Sequence, residues 1–345
     1  MELLINYSLI LVEMGNNDKM VKSAQAVMIK VLSLNKNDLV VIITDNFTKE
    51  VGKAFYNAAV DYGSSAKLYF LPKKSRPLLE IPKGMHELLK DATVVINVFR
   101  GMPEETPFRV KWIKLAHSVK SIRVGHGPSI TKSMLIDGPM NVDYDLMVKR
   151  AEDLKKAFEN AKIAHIKAPA GTDVTLYIED RDFSDDTRLV KEPYLINIPC
   201  GEIWCGPIES KGDGVIVCDG SIGDIGNVKK NLRIFIKNGK IVSLQCDDKK
   251  LVEEIEKLID LDEQARIIGE LGIGLNPGAK LRGILLEDEK ALHTAHIAFG
   301  NNMDMVGGQN SSITHRDFLF YKPTIEVTYK DGSTKILMEN GNFCY

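Results

Sequence analysis

The first part of the chain alternates short apolar runs with longer segments of helical spacing. The runs are bounded by polar residues or glycine, as is typical of buried strands, and they lie at 38–45, 66–72, 93–99 and 121–127. Helices are predicted at 48–63, at 103–119 and around 142–160. Because strands that alternate with helices form parallel sheets with right-handed crossovers, this part predicts an α/β domain with a parallel sheet.

The pattern changes near residue 164, after which strand-like runs follow one another with turn signals between them. The sequence KNGK at 237–240 predicts a hairpin turn. One amphipathic helix is predicted at 251–259. We therefore predict an N-terminal α/β domain at 1–163 and a β-rich α+β domain at 164–345.

Composition narrows the function classes. The 345 residues carry 45 Lys and Arg against 47 Asp and Glu, a net charge of -2, which argues against nucleic-acid or polybasic membrane binding. The five cysteines form no C-x-x-C pair, and the N-terminus lacks the cationic region and cleavage site of a signal peptide. No apolar run reaches membrane-spanning length. These features predict a cytoplasmic protein with reduced thiols.

Several common catalytic motifs are missing. The first predicted strand is followed by DNFTKEVG, which lacks the glycines of a phosphate-binding loop, so we do not expect NAD or ATP. The sequence HELLK at 86–90 has lysine where a zincin helix needs its second histidine, and we interpret it as a solvated helix face. No G-x-S-x-G elbow indicates a serine hydrolase.

His315 and Asp317 form the sharpest candidate pair. Residues i and i+2 of a strand point to the same face, so an imidazole and a carboxylate would emerge side by side. Such a pair holds a divalent metal, or the carboxylate orients the imidazole. A surface salt bridge is the plainer alternative.

Glu202 and Glu270 lie in apolar, strand-like sequence, each directly after a glycine. A carboxylate in such surroundings must be paired, hydrogen-bonded or metal-bound, because unpaired burial is costly. The alternative is an exposed position at a strand end. His296 lies among apolar neighbours in HIAFG, where a core histidine is the alternative to a metal ligand.

Two acids upstream of His296 are further candidates. Glu287 and Glu289 share a strand parity and both could face the same site, although a solvated turn would also explain the run EDEK. His293 is left out, since three residues along a strand separate it from His296 and turn it to the opposite face.

Two imidazoles and up to four carboxylates suit two borderline-to-hard divalent ions better than one closed structural zinc. Two ions about 3.5–4 Å apart share a bridging carboxylate and a bridging water. One ion would polarise a scissile carbonyl, and the other would bind the free amine of a peptide. The set predicts hydrolysis without a protein nucleophile, with Glu202 or Glu270 accepting the proton of the attacking water.

The runs PCGEIWCGP, GELGIGLNP, EDEKALHTAHIAFG and GGQNSSITHRD, in this order, resemble the aminopeptidase T family of cocatalytic, dinuclear metallo-aminopeptidases, mainly its shorter members. The resemblance covers about residues 120–330. It implies a C-terminal metal-binding catalytic domain, two divalent metal ions (Zn, Co, Mg or Mn), peptide substrates and a homodimer that encloses the active site. It also implies a set of metal ligands, with Glu270 as the bridging carboxylate: Glu202, Glu270, His296, His315 and Asp317.

The chain departs from the long members of that family at two places. Those members carry a further ligand glutamate five residues before the equivalent of His296, where Ala291 stands here. We therefore predict Glu289, seven residues before, as the sixth ligand. They also carry a tyrosine, thought to help in catalysis, where Met303 stands here.

Three functions follow as hypotheses. The first is a metallo-aminopeptidase, a hydrolase acting on peptides. The second is a mononuclear non-heme iron(II) ring-cleaving dioxygenase of the same superfamily, since His296, His315 and Asp317 alone form a two-histidine, one-carboxylate set. The third, suggested by Met303, is a non-catalytic binding protein that keeps a remnant of a metal site.

Overall fold

A computed structural model describes residues 2–119, 122–190 and 194–344, with side chains from residue 15 onward. The chain forms two compact units. The first comprises Met1–Asp145 and Asp186–Cys200, and the second comprises Leu146–Asp185 and Gly201–Tyr345. The domains proposed at 1–163 and 164–345 stay a prediction.

The first unit contains a five-stranded sheet in which every pair of neighbours is parallel, in the order β2-β1-β3-β4-β8. Its strands are β1 (Leu39–Thr44), β2 (Ser65–Phe70), β3 (Val94–Asn97), β4 (Arg123–His126) and β8 (Leu195–Asn197). The prediction of a parallel sheet with helices is confirmed. Strands β1, β3 and β4 fall within the predicted runs, and β2 begins one residue before the run at 66–72. Residue 121 of the run at 121–127 lies outside the described residues.

Strand β8 was expected in the C-terminal domain but joins the parallel sheet. Its backbone pairs with β4, as Val124 lies opposite Leu195 and His126 lies opposite Asn197. The helices of the chain before residue 163 are α1 (Glu2–Lys30), α2 (Lys49–Tyr62), α3 (Thr106–Ser118), α4 (Lys132–Ile136) and α5 (Tyr144–Phe158), with 3-10 turns at Lys73–Ser75, Met85–Leu89 and Pro103–Glu105. Of these, α5 belongs to the second unit from Leu146 onward. Among the described residues, no helix is long and apolar enough to cross a membrane.

One buried ion-pair group lies beyond the carboxyl end of β1. Arg76 pairs with both Asp45 and Glu105, and its Nε donates to Glu105 Oε1 at 2.8 Å. The backbone amides of Arg100 and Leu78 donate to the same two carboxylates at 3.0 and 2.8 Å. We call Asp45, Arg76 and Glu105 the arginine cluster. It occupies the carboxyl edge of the sheet, where open α/β sheets commonly bind ligands.

The second unit contains two antiparallel sheets. The eight-stranded sheet has the order β14-β13-β10-β6-β5-β18-β19-β20. Its strands are β5 (Ala161–Lys167), β6 (Asp173–Tyr177), β10 (Asp213–Cys218), β13 (Leu232–Lys237), β14 (Lys240–Gln245), β18 (Thr324–Tyr329), β19 (Thr334–Glu339) and β20 (Asn342–Phe343). The predicted hairpin is confirmed, because Asn238 and Gly239 join β13 to β14 with positive φ angles of 50° and 72°.

The seven-stranded sheet has the order β12-β11-β17-β16-β15-β9-β7. Its strands are β7 (Ser184–Asp185), β9 (Glu202–Cys205), β11 (Ser221–Ile222), β12 (Gly226–Asn227), β15 (Ile268–Gly274), β16 (Thr294–Gly300) and β17 (His315–Tyr321). Two helices accompany the sheets, α6 (Lys249–Ile259), which confirms the prediction at 251–259, and the short α7 (Leu285–Asp288).

Candidate metal centre

Four neighbouring strands of the seven-stranded sheet carry five of the predicted ligands. Glu202 lies on β9, Glu270 on β15 and His296 on β16, while β17 carries both His315 and Asp317. Each of these strands pairs with the next in the order β9-β15-β16-β17. Residues far apart in the sequence are therefore brought side by side by strand pairing.

The pairing register turns these side chains to one face. Directly opposed residues of an antiparallel pair share a face. His296 lies opposite Gly272, which is two residues from Glu270 on β15. Asp317 lies opposite Ala298, which is two residues from His296 on β16. The i, i+2 parity that indicated His315 and Asp317 therefore holds in the structure.

Small residues make room for the ligands on this face. A Cβ built on Gly272 would overlap the imidazole of His296, so the ring occupies the space that a side chain at 272 would fill. Gly274 lies opposite Glu202, and a Cβ built on it would likewise overlap the backbone of Ala291. The glycines of GELGIG thus allow the ring and the backbone to approach the strand closely.

Distances show a tight donor group. Glu270 Oε1 lies 3.4 Å from His296 Nε2, and Glu270 Oε2 lies 3.0 Å from His315 Nε2. Asp317 Oδ1 lies 3.4 Å from His315 Nε2 and 3.9 Å from His296 Nε2. Glu202 Oε2 lies 3.7 Å from His296 Nε2. One ligand atom each from Glu270, His296 and Asp317 lies within 4.8 Å of the others, a spacing that a metal ion could bridge.

Glu289 also lies beside this group, but not for the reason predicted. It directly follows helix α7 rather than lying on a strand, so strand parity does not apply to it. Its charge interacts with those of Asp317 and His296. We call Glu202, Glu270, Glu289 and Asp317 the carboxylate cluster. The alternative interpretation of EDEK as a solvated turn was wrong, because all four of its side chains are buried.

Two other candidates lie elsewhere. Glu287 accepts a hydrogen bond from the Lys280 amide at 3.2 Å, and the charges that act on it belong to Arg282, Asp288 and Lys280. His293, which was left out of the ligand set, contacts the carbonyl oxygen of Gly341 through Nδ1 at 2.8 Å. The structure gives neither residue a contact with the carboxylate cluster.

Lys290 was missed by the sequence reasoning. Its side chain is only 1% exposed, and its ammonium group pairs with Glu202 and with Glu289, the latter at 2.9 Å. A lysine directly after a predicted ligand was the only available signal. Met303, in contrast, has a side chain that is 56% exposed, in the segment between β16 and β17.

In this site the carboxylates and the imidazoles offset the effect of burial on each other's pKa values. Burial raises the pKa of Glu270, but hydrogen bonds from His296 and His315 outweigh burial and hold it below its ordinary value. Burial lowers the pKa of His296, whereas Glu270 and Glu202 raise it, with a net pKa of about 9. Asp317 and Glu270 likewise hold the pKa of His315 well above its ordinary value against the effect of burial.

The donor set fits a divalent cation. His315 Nδ1 lies 2.7 Å from the carbonyl oxygen of Asn301, so this nitrogen must carry the proton that the carbonyl accepts. The other ring nitrogen, Nε2, faces the oxygens of Glu270 and Asp317. A lone pair facing carboxylates is unfavourable unless a proton or a metal ion lies between them. Mixed imidazole and carboxylate donors of this kind hold zinc and related ions, and an orienting carbonyl is typical of metal-binding histidines.

Comparison with known proteins identifies the family. The sequence profile of the thermophilic metalloprotease (M29) family matches residues 129–343. The chain belongs to the M29 metalloprotease family. The predicted resemblance to the aminopeptidase T family is thereby confirmed, because M29 relatives carry that name. Aminopeptidase T of Thermus aquaticus is 26% identical over 271 residues, and aminopeptidase AmpS of Bacillus subtilis (strain 168) is 23% identical over 273 residues.

These alignments cover 71% and 72% of this chain but 62% of each relative, so the chain spans less than two thirds of their length. Two solved structures share the fold. The wild-type AmpT structure from Thermus thermophilus has a TM-score of 0.70 at 16% identity and covers 95% of this chain and 99% of its own. The 2,5-dihydroxypyridine dioxygenase of Pseudomonas putida KT2440 has a TM-score of 0.68 at 15% identity, covering 95% and 97%. At these identities the two structures show the fold that this chain shares with them, and the family assignment rests on the M29 profile.

Proposed function

We propose that this M29 protein is a metal-dependent aminopeptidase that releases N-terminal residues from peptides. One observation carries the proposal: Glu270, His296 and Asp317 converge on one face of the seven-stranded sheet in a chain of a metalloprotease family. His315 adds a fourth donor through Nε2, 3.0 Å from Glu270. The curated relatives are named aminopeptidases, which supports this substrate class.

A divalent ion held by these donors would polarise a peptide carbonyl and lower the pKa of a bound water. The residues of the chain supply the remaining chemistry. Glu270 and Glu202 are the carboxylates placed to accept a proton on this face, with one oxygen of each within 3.7 Å of His296 Nε2. The buried negative charge of the carboxylate cluster favours a substrate with a free ammonium group at its end.

The ligand assignment and the number of ions are finer parts of this proposal. The set predicted from the sequence is Glu202, Glu270, Glu289, His296, His315 and Asp317, shared between two ions such as Zn, Co, Mg or Mn. The contacts of Lys290 with Glu202 and Glu289 bear on the number of ions. Glu270 supports a bridging role, because its two oxygens face two different imidazoles. The homodimer and the cytoplasmic location stay predictions.

The test is release of an N-terminal residue by the metal-loaded protein. Purified chain, stripped with a chelator and reloaded with Co²⁺, Zn²⁺, Mg²⁺ or Mn²⁺, should cleave short peptides with a free N-terminus. The same peptides with an acetylated N-terminus should not be cleaved. Glu270→Gln should lose most of the activity while keeping the fold. Metal-bound protein without turnover on any aminoacyl substrate would refute the proposal and favour a non-catalytic binding protein.

A second candidate function rests on one observation. His296, His315 and Asp317 alone form a two-histidine, one-carboxylate set, the kind that holds iron(II) in non-heme oxygenases. A dioxygenase named for 2,5-dihydroxypyridine shares the fold. Oxygen uptake by the iron(II)-loaded chain with a dihydroxylated pyridine, without release of amino acids from peptides, would favour this function over the aminopeptidase.

A further inference from the structure

A lysine ammonium lies where a second metal ion would need its ligands. Lys290 Nζ contacts Glu202 Oε1, and it lies 2.9 Å from Glu289 Oε1. These two glutamates are the predicted ligands that do not belong to the Glu270, His296 and Asp317 group. The carboxylate cluster therefore divides into a part that faces imidazoles and a part that faces an ammonium group.

The lysine is held in place by its backbone. Its carbonyl oxygen accepts a hydrogen bond from the Asn276 amide at 2.8 Å, and its own amide donates to the carbonyl of Glu287 at 3.1 Å. Two residues further on, the amide of Leu292 donates to the carbonyl of Asn276 at 3.0 Å. Because backbone hydrogen bonds hold Lys290 and Leu292 to neighbouring segments, the position of the Lys290 backbone relative to the site is fixed.

Burial makes the contact with carboxylates obligatory. A lysine that is 1% exposed has given up its hydration, which is costly unless its charge is compensated. Glu202 and Glu289 supply that compensation, and the ammonium in turn neutralises part of their charge. Removing Lys290 would leave both carboxylates buried without this cation.

An ammonium group and a metal ion exclude each other at this place. An ion bound to Glu202 and Glu289 would lie about 2.0–2.2 Å from their oxygens. The Lys290 ammonium contacts an oxygen of each of the same carboxylates, so a divalent ion there would lie within a few ångströms of a like charge. In a buried site water screens such a repulsion only weakly, so the ammonium group disfavours a divalent ion there.

We infer that Lys290 serves as a built-in cation that replaces the second metal ion, so that this chain holds a single divalent ion at Glu270, His296, His315 and Asp317. Lys290 is then a positioning residue for Glu202, keeping one of its oxygens engaged while the other faces His296 Nε2 at 3.7 Å. The inference rests on the metal site of the proposed function but not on the reaction. A single-ion site with an open position remains competent for hydrolysis.

The experiment counts ions. Chelator-stripped chain is dialysed against excess Zn²⁺, desalted and measured by mass spectrometry, with calorimetric titration as a second count. The native protein should bind about one ion per chain, whereas Lys290→Met should bind about two, because Glu202 and Glu289 become free to act as ligands. Lys155→Met is the matched control, since Lys155 pairs with Asp185 outside the site, and it should keep the native count. Lys290→Arg, which retains the positive charge, should also bind about one ion.

Two ions in the native protein would overturn the inference, and so would a single ion in a folded Lys290→Met variant. If that variant does not fold, as judged by circular dichroism, anomalous diffraction from zinc-soaked native crystals gives the answer. One peak at Glu270 supports the inference, and a second peak between Glu202 and Glu289 overturns it. The ion count does not depend on turnover, so an inactive protein with one ion would refute only the proposed function.

Discussion

The arginine cluster of the first unit and the carboxylate cluster of the second unit both bury acidic groups, but they differ in where the positive charge comes from. Arg76 contacts both Asp45 and Glu105 and leaves no role for an ion. In the carboxylate cluster, Glu270 and Asp317 face the Nε2 atoms of His296 and His315, and imidazoles, unlike a guanidinium, are metal ligands. A buried acidic group is therefore a candidate metal centre where its partners can bind a metal ion themselves.

A half-buried histidine of the first unit and a buried histidine of the second show the same contrast. Burial and the nearby charge of Arg109 lower the pKa of His126 in the first unit to about 4. Burial acts in the same direction on His296 in the second unit, yet Glu270 and Glu202 raise its pKa to about 9. The local surplus of carboxylates, rather than burial, decides the direction of the shift.

The largest expected effect comes from breaking the arginine cluster. In Arg76→Met, Asp45 and Glu105 stay buried without their cation, so the free energy of unfolding of the first unit should fall by about 3–5 kcal/mol. Urea denaturation measures this loss. Metal content should not change, because the cluster supplies its own charge. Lys111→Met is the control: its pair with Glu80 is exposed, and its loss should cost less than about 1 kcal/mol.

An Arg76→Met variant as stable as the native protein would contradict a structural role for the arginine cluster. A variant that instead lost its bound metal would erase the distinction between the two clusters.

The next largest effect is expected in the metal centre itself. Asp317 Oδ1 faces both imidazoles, at 3.4 Å and 3.9 Å, so Asp317→Asn removes a charged donor while conserving the shape of the side chain. We expect metal affinity to fall by roughly 100-fold, measured by competition with a chromogenic chelator. Glu326→Gln, on β18 of the other sheet, should bind metal like the native protein. Equal affinities in the two variants would show that Asp317 is not a ligand.

The sequence alone predicts the features that depend on local periodicity. The apolar runs of the parallel sheet, the α6 helix and the shared face of His315 and Asp317 all follow from spacing within one element. Lys290 could not be predicted in the same way, because its role depends on three segments that meet in space: the end of α7, the start of β9 and the turn at Asn276. The position of β8 likewise depends on long-range pairing with β4.

A smaller effect is expected at Gly272, the strand residue that lies against the imidazole of His296. The methyl group of Gly272→Ala would overlap the imidazole of His296 and force the ring away from Glu270. Metal affinity should fall by about tenfold, since the ring is displaced but not removed. In the control Gly15→Ala, the added methyl meets nothing within 4 Å, and affinity should stay unchanged. Unaltered affinity in Gly272→Ala would mean that His296 need not lie over the strand to bind metal.

The smallest expected effect is the acid sensitivity that His126 gives the first unit. Its pKa falls from 6.5 to about 4 on folding, so between these values the unfolded chain binds a proton that the folded chain does not. His126 therefore makes the folded state less stable as the pH falls through this window, by about 1 kcal/mol at pH 5 after allowance for solvent screening of a partly exposed ring. Urea unfolding of His126→Gln at about pH 7 and pH 5 should show a smaller loss of stability than the native protein. If the two proteins lose stability equally, acid sensitivity arises from other groups, and the contrast between His126 and His296 has no consequence for folding.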